Sequence, residues 1–470
     1  MHVVSPRASH RERGAATALF VLLVPVLFAA IALSIDFGRV VYERHVLTNA
    51  MDSAALAGAD SLPNNPGAAQ TAAVALAKAN APDATPAVSL WCVVASTGAA
   101  KTVAPNQIPG ICNPGTTAGT KCNDKVCAIP CTAVVGHICN TITVTDDKDV
   151  PFFFAPVIGY YTGNTGAISA NACRGACGSQ TPNPMNIALV ADRTGSMATD
   201  DRNQMVAGIK STLQTMTRDQ QYVALGTIHR SSATPGSCIT TPSSSATSGP
   251  WIPVPYQNNY TLNPVTPGGV PPLNTASPLV SGLTCLTSSS GGTYLASPLK
   301  AAARYVLGLT PNNLGTLPTR SYPPRNAIIF ETDGQPNEAA ITGSTALNTT
   351  SDIGSTNGTT ACNNLKAVAT NPKAAGVLVV TVSFGDANSA HCAGSSGEFV
   401  RDVLAGVASP DARGNASDAD NDCSTATLRA VENFDSDFFF CAATGAELGP
   451  IFVSAVNAIS PNSKLVVLPV

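Results

Sequence analysis

Oxygen-bearing side chains recur along this chain at places that suit a hard divalent cation. The short apolar run Met185–Ala191 reads as a buried strand, and it empties into Asp192-Arg193-Thr194-Gly195-Ser196. That loop offers one carboxylate and two hydroxyls at alternate positions, and Gly195 permits the tight turn that aims all three one way. Gly291-Gly292-Thr293 stands just before a helical stretch, where a threonine either caps or coordinates. Thr332-Asp333-Gly334 closes a second apolar strand, Ala327–Glu331, and brings a second carboxylate to the same edge. All the donors are oxygen and they are few, which suits an ion that keeps several waters: Mg²⁺ above all, with Mn²⁺ or Ca²⁺ as the alternatives. Taken alone, Asp192 is a helix N-cap and Ser196 a first-turn hydroxyl; their joint occurrence with Thr194, Thr293 and Asp333 favours a metal site.

Positioning these residues requires a sheet. Strand signals at Met185–Ala191, Tyr222–Ile228, Ala327–Glu331, Val377–Phe384 and Phe438–Cys441 alternate with helical periodicity at Met205–Met216, Ala296–Leu309 and Ala446–Ile459. Several of the strands are apolar on both faces, the mark of a parallel sheet covered on both sides. In such α/β sheets ligands bind at the carboxyl ends of the strands, where the loops in question lie.

The pattern resembles the von Willebrand factor A (VWA) domain and its metal-ion-dependent adhesion site, written Asp-x-Ser-x-Ser, then a distant Thr, then an Asp after a later strand. Asp192 and Ser196 match the first motif, Thr194 replaces its middle serine but keeps the hydroxyl, Thr293 matches the threonine and Asp333 the last carboxylate. Phe438-Phe-Phe-Cys-Ala-Ala-Thr-Gly-Ala-Glu-Leu448 is similar to the family's closing strand and helix. The resemblance implies a doubly wound, mostly parallel, Rossmann-like sheet over 184–462, with insertions at about 230–290 and 341–372. It also implies metal-dependent protein binding, with a partner's carboxylate completing the ion's coordination. The extra methyl of Thr194 is expected to crowd the site, and Arg193 to point to solvent.

The amino-terminal region carries a different signal. Ala15–Ile35 is an uncharged apolar run long enough to cross a membrane as a helix, with Pro25 in its middle. Arg7, Arg11 and Arg13 precede it, and Asp36, Arg39, Glu43 and Arg44 mix the charges after it, which places residues 1–14 in the cytoplasm and the bulk outside. Two other readings compete. A cleaved signal peptide would use Ala30-Ile-Ala32, although its apolar core normally spans only about 7–15 residues. A prepilin leader would use Gly14, but Leu19 stands where a Glu is wanted. Beyond the span, Val40, Val41, Val46, Leu47, Met51, Ala54, Ala55 and Leu56 keep a helical spacing, and the Ala-rich face at 50–59 suits close packing, either on another helix or on the protein's own exported part.

Arg13-Gly14, Asp36-Phe-Gly-Arg39 and Asn49-Ala-Met-Asp52-Ser-Ala-Ala-Leu56-Ala-Gly58-Ala resemble the amino-terminal segment of TadE/TadG-like proteins of bacterial tight-adherence (Flp) pilus assembly. The resemblance implies a single-pass inner-membrane protein with its bulk in the periplasm, pilus-assembly or envelope proteins as partners, and self-association through the anchor helix as a further option.

Between these regions, 61–183 reads as a Cys-rich, disulfide-stapled β-rich segment, with strand-like runs at Ala87–Ala95, Thr132–Val135, Thr141–Thr145 and Val150–Tyr161, and with Phe152-Phe-Phe154 as core or as a membrane-proximal contact. All fourteen cysteines follow the apolar run and none forms a C-x-x-C pair, so disulfides of an oxidising compartment are favoured over zinc. Cys238–Cys285 is the one pairing expected, closing the Ser/Thr/Pro/Gly-rich stretch 230–290. Asp418-Ala-Asp420-Asn-Asp422 begins like a calcium loop but lacks the glycine and the closing glutamate, with Arg429 in the latter's place, and is read as a solvated turn. Residues 463–470 read as a tail.

Charged residues make up 12% of 470 and the formal net charge is −3, so no basic field exists for nucleic acid. His229 and His391 sit in no nucleophile or metalloprotease motif, and no phosphate loop occurs. The expectation is a membrane-anchored binding protein and not an enzyme; the alternative is a secreted or surface adhesin that uses the same metal edge.

Overall fold

The computed structural model describes residues 10–62, 65–97, 100–103, 112, 114–134, 137–175, 177, 184–216, 218, 220–230, 251–262, 271–289, 291–320, 323–411, 414–419, 422–433, 435, 437–460 and 463–469, with side chains from Leu19 onward. Arg7, Arg11, Arg13, Asp420, Cys238 and the first part of the 230–290 stretch fall outside this description.

Helix α1 runs unbroken from His10 to Asp60, through Pro25. Its two halves meet different surroundings. From Leu19 to Ile35 the large apolar side chains stand exposed, Leu22 at 73% and Phe28 at 65%; the helix is long and apolar enough there to cross a membrane. After residue 46 the same helix turns an Ala-rich stripe inward, and Leu47, Ala50, Met51, Ala54, Ala55 and Ala59 are buried. The stripe packs on helix α2 (Pro66–Asn80), capped by Asn65, and on an antiparallel sheet. Gly58 sets the contact distance: a Cβ there would lie 2.7 Å from Ile142 Cδ1 and 2.8 Å from the Ala69 carbonyl oxygen. The small residues therefore serve packing within the chain, and α2 is an element that the disulfide-stapled reading of 61–183 did not contain.

That sheet is built from β1 (Ala87–Ala95), β2 (Lys121–Cys122), β3 (Val126–Cys131), β4 (Thr141–Asp146), β7 (Ile168–Cys173) and β16 (Lys464–Leu465) in the order β16-β7-β4-β1-β3-β2. A separate two-stranded hairpin, β5 (Asp149–Pro151) and β6 (Thr162–Asn164), leaves it beside α1. Residues 463–470 are thus no loose tail: Lys464 and Leu465 pair with Cys173 and Ala172, and Ser463 Oγ donates to Asp60 Oδ1 at 2.6 Å. Disulfides Cys92–Cys112, Cys122–Cys127, Cys131–Cys139 and Cys173–Cys177 staple this unit. Cys362–Cys392 and Cys423–Cys441 lie in the second unit, where Cys285 is also disulfide-bonded; the expected Cys238 end of its pairing lies outside the described residues.

The second unit is α/β, with a mostly parallel Rossmann-like sheet. Its strands are β8 (Met185–Asp192), β9 (Gln221–Ile228), β10 (Val254–Gln257), β11 (Arg325–Thr332), β12 (Leu378–Phe384) and β15 (Phe439–Ala442), in the order β10-β9-β8-β11-β12-β15. All pair in parallel except β10, which is antiparallel on the edge. β8 and β12 are buried almost end to end, as two covered faces require. Helices α3 (Thr199–Thr215) and α9 (Gly445–Ile459) cross where Gly208 meets Gly449, with 2.6 Å between a Cβ built on Gly208 and the Gly449 Cα. Helix α4 (Pro278–Gly282) packs near β10, and α5 (Ala296–Val306), α6 (Gly358–Ala374), α7 (Val400–Val407) and α8 (Ala426–Glu432) complete the layers, with a short β13–β14 hairpin (His391–Ala393, Ser396–Phe399).

The two stretches read as insertions contain structural elements. Within 230–290, β10 extends the sheet, and Trp251 is buried with its Nε1 donating to Asp352 Oδ1 at 3.0 Å. Within 341–372, α6 begins at Gly358 behind an Asn357 cap. Arg230 joins the same cluster, paired with Asp352 and stacked over the Trp251 ring at 4.7 Å. The two stretches therefore meet in one buried polar knot.

Candidate functional site

Strands β8 and β11 are neighbours in space, registered from Met185↔Arg325 to Val190↔Phe330, and the chain leaves them in opposite lateral directions: β8 leads to β9 on one side, and β11 to β12 on the other. This is the topological switch point of a doubly wound sheet, where a crevice opens at the carboxyl ends of the strands. Asp192 is the last residue of β8, and Asp333 directly follows β11.

The five residues expected from sequence come together here. Ser196 Oγ donates to Asp333 Oδ1 at 2.8 Å and lies 3.0 Å from Thr194 Oγ1. Thr194 Oγ1 is 3.4 Å from Asp333 Oδ1 and 3.4 Å from Thr293 Oγ1. Asp192 is fixed from behind: Oδ1 accepts the Thr194 N–H at 2.7 Å, and Oδ2 accepts Thr332 Oγ1–H at 2.7 Å and the Asp333 N–H at 3.4 Å. The Thr194 methyl group does not turn the hydroxyl away; Oγ1 lies among the other oxygens. Gly334 lines the same site: a Cβ there would stand 3.6 Å from Ser196 Oγ and 4.0 Å from Thr293 Oγ1, in ordinary contact with both.

Two residues that the sequence reading did not single out hold the site. Thr332 supplies the hydroxyl on Asp192, and Glu331 Oε2 accepts the Asp192 N–H at 2.8 Å. The signal for Glu331 was present, because it is a carboxylate inside an otherwise apolar strand. A fourth carboxylate, Glu338, accepts the N–H groups of Leu295 and Ser355 at 2.8 and 3.0 Å and so anchors the turn that carries Thr293. Arg193 does not point to solvent. It is buried, with Nε donating to the Ser288 carbonyl at 3.1 Å and Nη1 to the Arg230 carbonyl at 3.3 Å, because the segment 283–288 folds over the loop.

The electrostatics are those of crowded carboxylates. Burial raises Asp192 above its ordinary value, against the hydrogen bonds that lower it. Asp333 is pushed up to about 8 by burial and then by the neighbouring Asp192 charge. Burial and the same charge hold Glu331 well above the usual carboxylate range. Among the described residues, no lysine, arginine or histidine forms an ion pair with any of the three. The donor set is all oxygen, and the buried Arg193 guanidinium beside it is directed to backbone carbonyls, which leaves the set suited to a hard cation. Elsewhere, His391 Nδ1 lies 2.7 Å from the Gly397 carbonyl with its ring stacked on Phe399, and the His229 ring packs near Tyr294, both away from these carboxylates in hydrogen bonding. Asp422 of the acidic turn accepts from Ser424.

Comparison with known proteins adds an amino-terminal relationship. Residues 14–61 match the family described as putative Flp pilus-assembly TadE/G-like, which covers the exposed half of α1 and its buried continuation. With the long apolar helix, this fits a membrane anchor. No curated protein matches the chain. Among solved structures, the pilus adhesin SpaC from Lactobacillus rhamnosus GG, in an open conformation, is similar over 68% of this chain and 32% of its own, at 15% identity and a TM-score of 0.37. Proximal thread matrix protein 1 from the mussel byssus, with a zinc-occupied MIDAS motif, is similar over 60% of this chain and 48% of its own, at 14% identity and a TM-score of 0.30. BatB, a conserved hypothetical protein from Bacteroides thetaiotaomicron, shows 10% identity over 58% of this chain and 98% of its own, at a TM-score of 0.28. The chain thus spans about a third of the adhesin and about half of the mussel protein.

Proposed function

We propose that this is a membrane-anchored envelope protein of a Flp-type pilus-assembly system, and that residues 184–462 form a VWA-type domain that binds a partner protein through a divalent cation. One observation carries the reading: Asp192, Thr194, Ser196, Thr293 and Asp333, from three separate stretches of chain, bring their oxygens together at the switch point. Asp333 and the hydroxyls of Thr194, Ser196 and Thr293 face one another directly, and Asp192 stands behind, pinned by Thr332. Mg²⁺ fits this set best, with Mn²⁺ and Ca²⁺ as competitors. Bound there, the ion supplies a Lewis-acidic position that a carboxylate from the partner fills. The chain's own side chains orient that position and break no bond, so the protein is a binder and not an enzyme.

The anchored form is preferred to a secreted one because the apolar run Ala15–Ile35 is longer than the roughly 7–15 residues of a signal peptide's apolar core. The proposed setting is the inner membrane, with residues 1–14 cytoplasmic and the α/β unit periplasmic. The test is calorimetric titration of MgCl₂ into the detergent-solubilised full chain and into Asp192→Ala. Saturable heat from the parent and none from the variant supports the site, and equal heats from both contradict it. The pilus assignment is tested separately by cross-linking in cells: recovery of envelope proteins with no pilus-assembly component counts against it.

A further inference from the structure

The tip of the β5–β6 hairpin leaves a large apolar surface mostly exposed. Phe153 (68%), Phe154, Val157 (90%), Ile158, Tyr160 and Tyr161 (69%) all face outward. From Val150 to Gly163 the sequence contains no charged residue. A contiguous exposed patch of this kind marks a contact surface, and its content of aromatic rings with polar ends is that of residues at a membrane–water interface.

Its position is set by α1. Asp36 is the first residue after the apolar run, and its buried carboxylate accepts three consecutive N–H groups from the tip: Phe153 at 2.8 Å, Phe154 at 3.0 Å and Ala155 at 2.7 Å. Arg39 donates to the Pro151 carbonyl at 3.0 Å and lies 4.3 Å over the Phe153 ring. Phe37 and Phe152 touch, with centroids 6.2 Å apart. The hairpin is thus bolted to the helix at the level where its membrane-spanning part stops.

We propose that this tip is a second membrane-contacting element, seated among the phospholipid head groups of the leaflet at the carboxyl end of the α1 span. It rests on the reading of Leu19–Ile35 as a membrane span. The partner is the bilayer surface itself: aromatic rings at head-group depth, an uncharged loop, and the charged Asp36 and Arg39 turned onto the hairpin. Two points of contact then fix the tilt of the exported units, where a single helix would leave them free to rotate.

The test uses the full chain in phosphatidylcholine vesicles, with and without bromine on the acyl chains, and reads tryptophan emission above that of the parent, whose own Trp91 and Trp251 set the background. Val157→Trp and Ile158→Trp sit on exposed positions that make no hydrogen-bonded side-chain contact. Brominated lipid is expected to remove most of the added emission from Phe28→Trp in the span, a smaller but clear part from both hairpin variants at head-group depth, and none from Val431→Trp, an exposed position on α8. Quenching of Phe28→Trp alone overturns the hairpin proposal and leaves the anchor standing; such a result would assign the patch to a protein partner. Failure to quench Phe28→Trp overturns both.

Discussion

Asp333 is a carboxylic acid that keeps its proton to about pH 8 while no cation is bound, because burial and the Asp192 charge both oppose ionisation. In the unfolded chain it would ionise near about 3.9. Its folded pKa is therefore raised, and the sign follows: the native state holds the proton more tightly, so the stabilisation is complete below about pH 4 and is lost as pH rises toward about 8. In chelator, the melting temperature of the parent relative to Asp333→Asn, in which position 333 cannot ionise, should fall over that window. Added Mg²⁺ should reverse the trend, raising the parent most at the alkaline end. Scanning calorimetry over a pH series checks both, and a chelated difference that rises with pH would refute the assignment. At this scale the cluster of oxygens was legible because Asp192 and Asp333 stand where buried strands give way to loops, with hydroxyls close by in Thr194 and Ser196. Arg193 was misread because a charged loop residue is normally solvated; the carbonyls that receive it, those of Ser288 and Arg230, lie far away in sequence.

At the scale of elements, the strands buried on both faces were readable as apolar runs, and helices such as α9 from their period. Others were not. Edge strand β10 contains Pro255 and alternates over only four residues, a pattern that a central strand would not tolerate and that resembles a loop. Helix α6 opens on Gly358-Thr-Thr and ends around Pro372, so composition hid it, although Ala361, Leu365, Val368 and Ala369 fall on one buried face at helical spacing. Helix α2 buries only alanines on its inner face, Ala69, Ala73 and Ala77, a weak hydrophobic signal. Two substitutions test the packing. Gly208→Val forces side-chain atoms into the Gly449 backbone and should cost about 1–3 kcal/mol of unfolding free energy in urea. Asp352→Ala removes the carboxylate shared by Arg230 and Trp251 and strands a buried guanidinium, for about 3–5 kcal/mol. A loss no larger than a surface substitution gives would mean that these contacts do not form.

For the molecule as a whole, α1 is both anchor and core. At about 1.5 Å per residue the Ala15–Ile35 run is roughly 30 Å long, one bilayer core, and the remainder of the helix belongs to the stapled unit. The junction between the apolar span and the stapled unit is therefore continuous helix, not a linker. The Ala-rich stripe is spent on α2 and the sheet and so is not free to pack on a helix of another molecule. The α/β unit leaves the stapled sheet after β7 and returns to it in β16, where Val466 N–H also donates to the Asn171 carbonyl at 2.9 Å. A single backbone cut between residues 177 and 184 should accordingly leave residues 184–460 sedimenting with membranes, and the same cut in a chain lacking 463–469 should set them free; release by the cut alone would show that the returning strand does not hold. A tether that grips its cargo at both ends also divides mechanical load. Tension applied at the Asp192 edge reaches the bilayer by one covalent path through β7, and by a second in which the ladder of β16 must be sheared. Load reaching that edge would thus be shared between a covalent attachment and the two-residue pairing of β16 with β7.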